Sequence, residues 1–138
     1  MIEGNDITST GLSCISVQGG AWPSIHHNRI HGGNQEGIYI GEGAGGTIEE
    51  NEITQSRFAG IAVRADANPK VRANRIYSGQ REGIYVGDHA RGAIDGNTIR
   101  ENAVAGIHIE RGGRPKLGRN SVYSNGQDGS VNVRNLNT

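Results

Sequence analysis

Apolar and polar positions along this chain repeat with a period of 23 residues. The asparagines Asn5, Asn28, Asn51, Asn74, Asn97 and Asn120 stand in phase from one end to the other. Two positions after each comes a branched aliphatic residue: Ile7, Ile30, Ile53, Ile76, Ile99 and Val122. Three positions before each stands another aliphatic: Ile2, Ile25, Ile48, Val71, Ile94 and Leu117. Nine positions after the asparagine come Gly37, Gly60, Gly83, Gly106 and Gly129, with Cys14 as the exception in the first copy. An aliphatic-x-aliphatic triplet follows, as in Ile38/Ile40 and Ile84/Val86, until the sixth copy, "GSVNV", slips by one.

Short alternating apolar segments rich in β-branched residues and punctuated by Gly and Asn predict strands, not helices. A 23-residue unit of this kind predicts one turn of an all-β, right-handed parallel β-helix, in six rungs. Each rung supplies three short strands, exemplified by the segments around Val71, Arg75 to Tyr77, and Ile84 to Val86. Rungs stack about 4.8 Å apart, so equivalent residues form columns along a rod of roughly 24 Å. A leucine-rich repeat would need a leucine lattice, and an 18-residue left-handed hexapeptide turn does not fit the period of 23. The asparagine column is expected to occupy tight turns in left-handed backbone and to hydrogen-bond from rung to rung. The glycine before each triplet marks either a positive φ or a place where a Cβ would clash.

The repeat is closer still over two rungs. "VRANRIYSGQREGIYVGDHA", residues 71 to 90, matches "IHHNRIHGGNQEGIYIGEGA", residues 25 to 44, at ten of twenty positions. Pro23, Pro69 and Pro115 share this 46-residue spacing.

Length and composition fit one domain, residues 1 to 138, expected to be part of a longer solenoid. Fourteen basic and fourteen acidic residues cancel, which gives no general reason to bind nucleic acid or an anionic membrane. No apolar run approaches the ~20 residues of a membrane-spanning helix. A single cysteine, Cys14, excludes an internal disulfide. With a start that lacks signal-peptide character, it leads to the expectation of an intracellular, cytoplasmic setting.

The stretch from 68 to 109 resembles the β-helix repeats of the carbohydrate-binding-and-sugar-hydrolase type, and most closely those of F-box-only substrate-recognition subunits of ubiquitin ligases. The residues that carry the resemblance are Asn68-Pro69, Val71, Asn74-Arg75-Ile76 and Gly83-Ile84-Tyr85-Val86. It implies the same fold and, for the F-box relatives, a surface that holds protein substrates. No F-box segment is present to carry a ubiquitin role, and the Asp-Pro-His signature that the resemblance implies for alginate epimerases is missing.

Candidate chemistry is sparse. Glu36, Glu82 and Asp128 form a carboxylate row two rungs apart, hence about 10 Å, which is at or beyond the reach of an inverting glycosidase pair. They are read as binding residues on a solvated turn, and no catalytic residue is assigned. Asp88 and His89 are neighbours in a loop and carry little weight. His26, His27 and His31 invite a metal, but the turn is expected to splay them apart, so no metal and no cofactor is expected. Asp6, Arg29, Glu52 and Arg75 alternate in sign and are expected to pair between rungs.

The preferred binding face is the outward column Ser16, Tyr39, Ala62, Tyr85 and His108, with the two tyrosines flanking a notch at Ala62. Mixed with Arg64, Glu110, Glu36 and Glu82, it is read as a surface for a protein partner. The alternative is a polysaccharide-binding or polysaccharide-processing fragment whose sugars stack on the aromatic faces. The aliphatic first rung, with Ile2, Ile7, Ile15 and Val17, is a further expected contact, for self-association end to end.

Overall fold

The computed structural model describes residues 1 to 126 and 131 to 133. Three parallel sheets of six strands each wrap around one core. In the fourth rung the strands are Lys70–Arg72, Arg75–Tyr77 and Ile84–Val86, as the pattern predicts. Each pairs with the equivalent strand one rung before and one rung after: Val71 faces Ile48 and Ile94, Ile76 faces Ile53 and Ile99, and Tyr85 faces Ala62 and His108. The slip in the last copy is visible in the register, where Ile107 pairs with Val131, 24 residues on. Asp128 and Gly129 lie outside the described residues.

Side-chain alternation decides what fills the interior. In the first and second sheets the central residue of each strand points inward, so Ile25, Ile48, Val71 and Ile94 form one buried column and Ile30, Ile53, Ile76 and Ile99 another. In the third sheet the flanking residues point inward, as Ile38 and Ile40 or Ile84 and Val86 do, and the central one points out. Each fully buried isoleucine contributes about 1.5–3 kcal/mol. A thin core is thus repeated rather than enlarged, which is how a chain poor in aromatics folds.

The corner between the first and second sheets is held by the asparagines. The Oδ1 of Asn74 accepts from the backbone N–H and the Nδ2 of Asn51, both at 3.0 Å, and Asn74 donates in the same way to Asn97. Its Nδ2 also reaches the carbonyl of Ile48 at 3.0 Å, so the amide is fully used. The same pattern runs from Asn5 to Asn120. The left-handed backbone falls one residue earlier than expected: the positive φ belongs to Gly4, His27, Glu50, Ala73 and Gly96, not to the asparagines. The turn reverses at that residue, and the asparagine amide then faces inward, where the stack needs it. A shorter second row, Asn102 and Asn125, repeats the device at the next corner, with the Oδ1 of Asn102 accepting from the Gly79 N–H at 3.0 Å.

The glycine before each triplet serves packing. Gly37, Gly60 and Gly83 have no positive φ, but a Cβ at Gly83 would lie 2.4 Å from the Cγ2 of Ile99 and 2.7 Å from the carbonyl of Gly106. The space belongs to the next rung.

Candidate functional site

The outward column of the third sheet is not uniform. Tyr85 is enclosed: the guanidinium carbon of Arg64 lies 4.4 Å from its ring centroid, and the ring of His108 stacks on it at 5.7 Å with 17° between planes. Its hydroxyl donates to Glu110 at 3.1 Å, and His108 Nε2 lies 3.1 Å from the same carboxylate oxygen. Burial first, and then the bond to Glu110, push the Tyr85 phenol above its ordinary value, while the charge of Arg64 pulls the other way. Arg64 and His108 thus already contact the Tyr85 ring, which is half-buried. Charge and hydrogen bonding built this cluster, and spacing alone did not reveal it.

Tyr39 is different. Its ring folds back over Gly41, where a Cβ would lie 2.8 Å from the hydroxyl oxygen and 2.9 Å from Cε1. Among the described residues no ring or guanidinium stacks on it. It borders a cleft of about 280 Å³ with Ser13, Ser16, Gln18, Gln35 and Glu36. Gln18 Nε2 donates to Ser16 Oγ at 2.8 Å, and Ser13 Oγ donates to Glu36 at 2.8 Å.

Glu36 also lines the adjoining cleft, of about 190 Å³, with Phe58, Arg64, Arg81, Glu82 and Tyr85. Ala62 forms its floor and has no exposed surface, so the notch is closed over by larger neighbours. Phe58, 44% exposed, contributes an aromatic side chain that the repeat pattern did not single out. Glu36 and Glu82 are only 8% and 7% exposed, so the expected solvated turn is in fact a pair of sheltered carboxylates. Arg81 lies 3.7 Å from Glu82. Asp128, the third member of the row, is outside the described residues.

The second sheet shows what an ordinary outer face looks like in this fold. Arg29 approaches Asp6 at 3.4 Å and Glu52 at 3.8 Å, and Arg75 approaches Glu52 at 3.6 Å. The bordering groove, about 470 Å³, is lined by these mutually paired charges. Such exposed pairs are worth little singly, though they oppose a slip in register. The three histidines also separate, but not as expected. His31 reaches the carboxylate of Asp6, which holds the Asp6 carboxyl below its ordinary value, whereas His26 and His27 stay together with their Nδ1 atoms 3.1 Å apart.

The family model for the right-handed beta helix region matches residues 1 to 137. The chain belongs to that family. Among solved structures it is similar to a double mutant of the periplasmic alginate epimerase AlgG, with a TM-score of 0.70 and 22% identity over 98% of this chain. The β-helix spans only 36% of that chain. No curated protein matches. The β-helix repeat module is thus established, and the likeness to F-box-only subunits is not shown. The expected intracellular, cytoplasmic placement does not stand, because the matched protein is periplasmic. A lone Cys14 cannot close a disulfide within the chain, so it never distinguished a reducing from an oxidising compartment.

Proposed function

We propose that this right-handed β-helix binds a polysaccharide strand along the outer face of its third sheet, over the first four rungs. The observation that carries the reading is that Glu36 is shared by two adjoining clefts, each of which also offers an aromatic side chain and polar groups. Tyr39 supplies a ring edge or face against which a sugar ring packs. Ser13, Ser16, Gln18 and Gln35 supply the donors and acceptors that sugar hydroxyls need. Glu36 and Glu82 accept from hydroxyls in a sheltered setting, where hydrogen bonds to charged groups are worth about 1.5–3 kcal/mol. Arg64, fixed over Tyr85, and Arg81 offer cations to acidic sugars. The likeness of fold to an alginate epimerase supports the polysaccharide class.

Binding is favoured over turnover because Glu36 and Glu82 sit on alternate rungs, a spacing of about 10 Å, against about 6.5–9.5 Å for an inverting pair. A glycan array, followed by calorimetric titration with the best oligosaccharide, tests the reading. Glu36→Gln and Glu82→Gln should each weaken binding about tenfold or more. Depolymerisation or epimerisation of a uronate polymer by the chain would replace this reading with catalysis, and silence on every glycan beside capture of a protein partner would replace it with protein recognition.

A further inference from the structure

We infer that Glu3, His26 and His27 form a divalent metal site that joins the first rung to the second. One ligand atom from each lies within 4.8 Å of the others. The geometry begins with the fold: Glu3 and His26 are register partners on adjacent strands of the first sheet, so their side chains leave the same outer face one rung apart. His27 follows at the corner with φ 58°, and this left-handed residue turns its ring back towards His26. The two rings meet edge to face at 73°, with Nδ1 opposite Nδ1 at 3.1 Å. Two nitrogens in that position either share one proton or jointly hold a cation. A tetrahedral ion with Zn–N bonds of about 2.0–2.1 Å needs its nitrogens about 3.3 Å apart, and the pair is already close to that spacing.

Two further groups complete the arrangement. The Glu3 carboxylate, 3.9 Å from His26 Nδ1, is the third donor and brings the negative charge that a divalent ion requires. On the other side of His27, Glu50 lies 3.5 Å from Nε2. A carboxylate there favours the proton on Nε2 and leaves Nδ1 with its lone pair towards His26, which is the usual outer partner of a metal-bound imidazole. The positions equivalent to the two histidines, two rungs on, are Arg72 and Ala73, so the donor set is not a product of the repeat. Two imidazoles and a carboxylate select a borderline ion such as Zn²⁺ over Ca²⁺ or Mg²⁺, and water completes the coordination at this exposed corner. The ion's role is a staple: it ties Glu3 of the first rung to His26 and His27 of the second.

The test is titration of the metal-free chain with ZnCl₂ by calorimetry, with CoCl₂ absorption as a spectroscopic readout and thermal unfolding in parallel. One ion should bind per chain, with a rise in melting temperature that a chelator reverses. His27→Ala and Glu3→Gln should each weaken binding at least tenfold, Glu50→Gln should weaken it about 10–100-fold, and His31→Ala, whose ring is engaged by Asp6, should change nothing. All variants should keep the β-sheet circular-dichroism spectrum, since these side chains lie outside the core. Absence of Zn²⁺ binding at millimolar metal, or binding that survives both His27→Ala and Glu3→Gln, would overturn the site.

Discussion

The guanidinium of Arg64 lies over the ring of Tyr85, and the two residues come from adjacent rungs of the third sheet. Stacked with His108 as well, Tyr85 acts as the post that holds Arg64 in place at the edge of the cleft. Among the described residues no ring or guanidinium stacks on Tyr39, which leaves its ring available to a ligand, beside the exposed Phe58 of the adjoining cleft. The two tyrosines occupy equivalent positions two rungs apart, and their neighbours assign them different work.

Substitution should separate the two roles. Tyr39→Ala should reduce affinity for the bound oligosaccharide by about tenfold or more, as loss of an aromatic anchor does, with an unchanged melting curve. Tyr85→Phe keeps the ring under Arg64 and should leave affinity within about twofold, whereas Tyr85→Ala should lower both affinity and stability. Calorimetric titration beside thermal unfolding distinguishes these outcomes. Equal losses for Tyr39→Ala and Tyr85→Phe would mean that the Tyr85 hydroxyl itself contacts the ligand.

The asparagine stack predicts a gradient of stability. Asn74 has no exposed surface, and its amide serves Asn51, Asn97 and the carbonyl of Ile48. Asn74→Ala should cost about 1–3 kcal/mol, because it strands buried donors and acceptors on both neighbouring rungs. Asn5 is exposed and bonds to only one neighbouring asparagine, so Asn5→Ala should cost clearly less. Urea denaturation of the two variants measures the difference directly.

These two cases show what the sequence could reveal. Position in a 23-residue period determines depth and column, so Ile25, Val71 and Asn74 could be placed from their spacing alone. Partners that depend on rotamer and charge could not. Nothing in the spacing says that Arg64 turns over Tyr85 rather than into solvent, or that His26 and His27 face each other across a corner instead of diverging. Glu36 and Glu82 looked like solvated turn residues because acidic side chains usually are. Phe58, Arg81 and the tyrosines line the clefts beside them, and how far such side chains cover a neighbouring carboxylate is set by their size and rotamer, which the spacing does not give.

Alkaline pH should weaken the fold through two phenols. Tyr77 is held above its ordinary value of 10.0, first by its hydrogen bond to Glu52 at 2.5 Å, and Tyr85 is held above the same value first by burial. A folded-state value above the unfolded one means that the folded chain binds more protons once pH passes the ordinary value. The stabilisation is therefore fully present below that point and is lost as pH rises through the folded value. Denaturation midpoints across an alkaline series should fall, and Tyr77→Phe combined with Tyr85→Phe should flatten the fall. An equally steep decline in the double variant would assign it to other groups.

The glycine column gives the sharpest prediction about packing. At Gly83 a methyl group would meet the Ile99 Cγ2 at 2.4 Å and the Gly106 carbonyl at 2.7 Å, and the second of these is backbone tied into the next rung. The Ile99 side chain cannot swing away, since it is fully buried in its own column. Gly83→Ala should therefore push two rungs apart locally and cost on the order of 1–3 kcal/mol, as overpacking does, even though alanine is the smallest possible change. Gly11→Ala is the matched control: its Cβ would meet nothing within 4 Å and its φ is not positive, so that variant should be neutral or slightly stabilising. Thermal unfolding of the pair checks the argument. A neutral Gly83→Ala would show that the rungs slide past one another more freely than their shared hydrogen bonds imply.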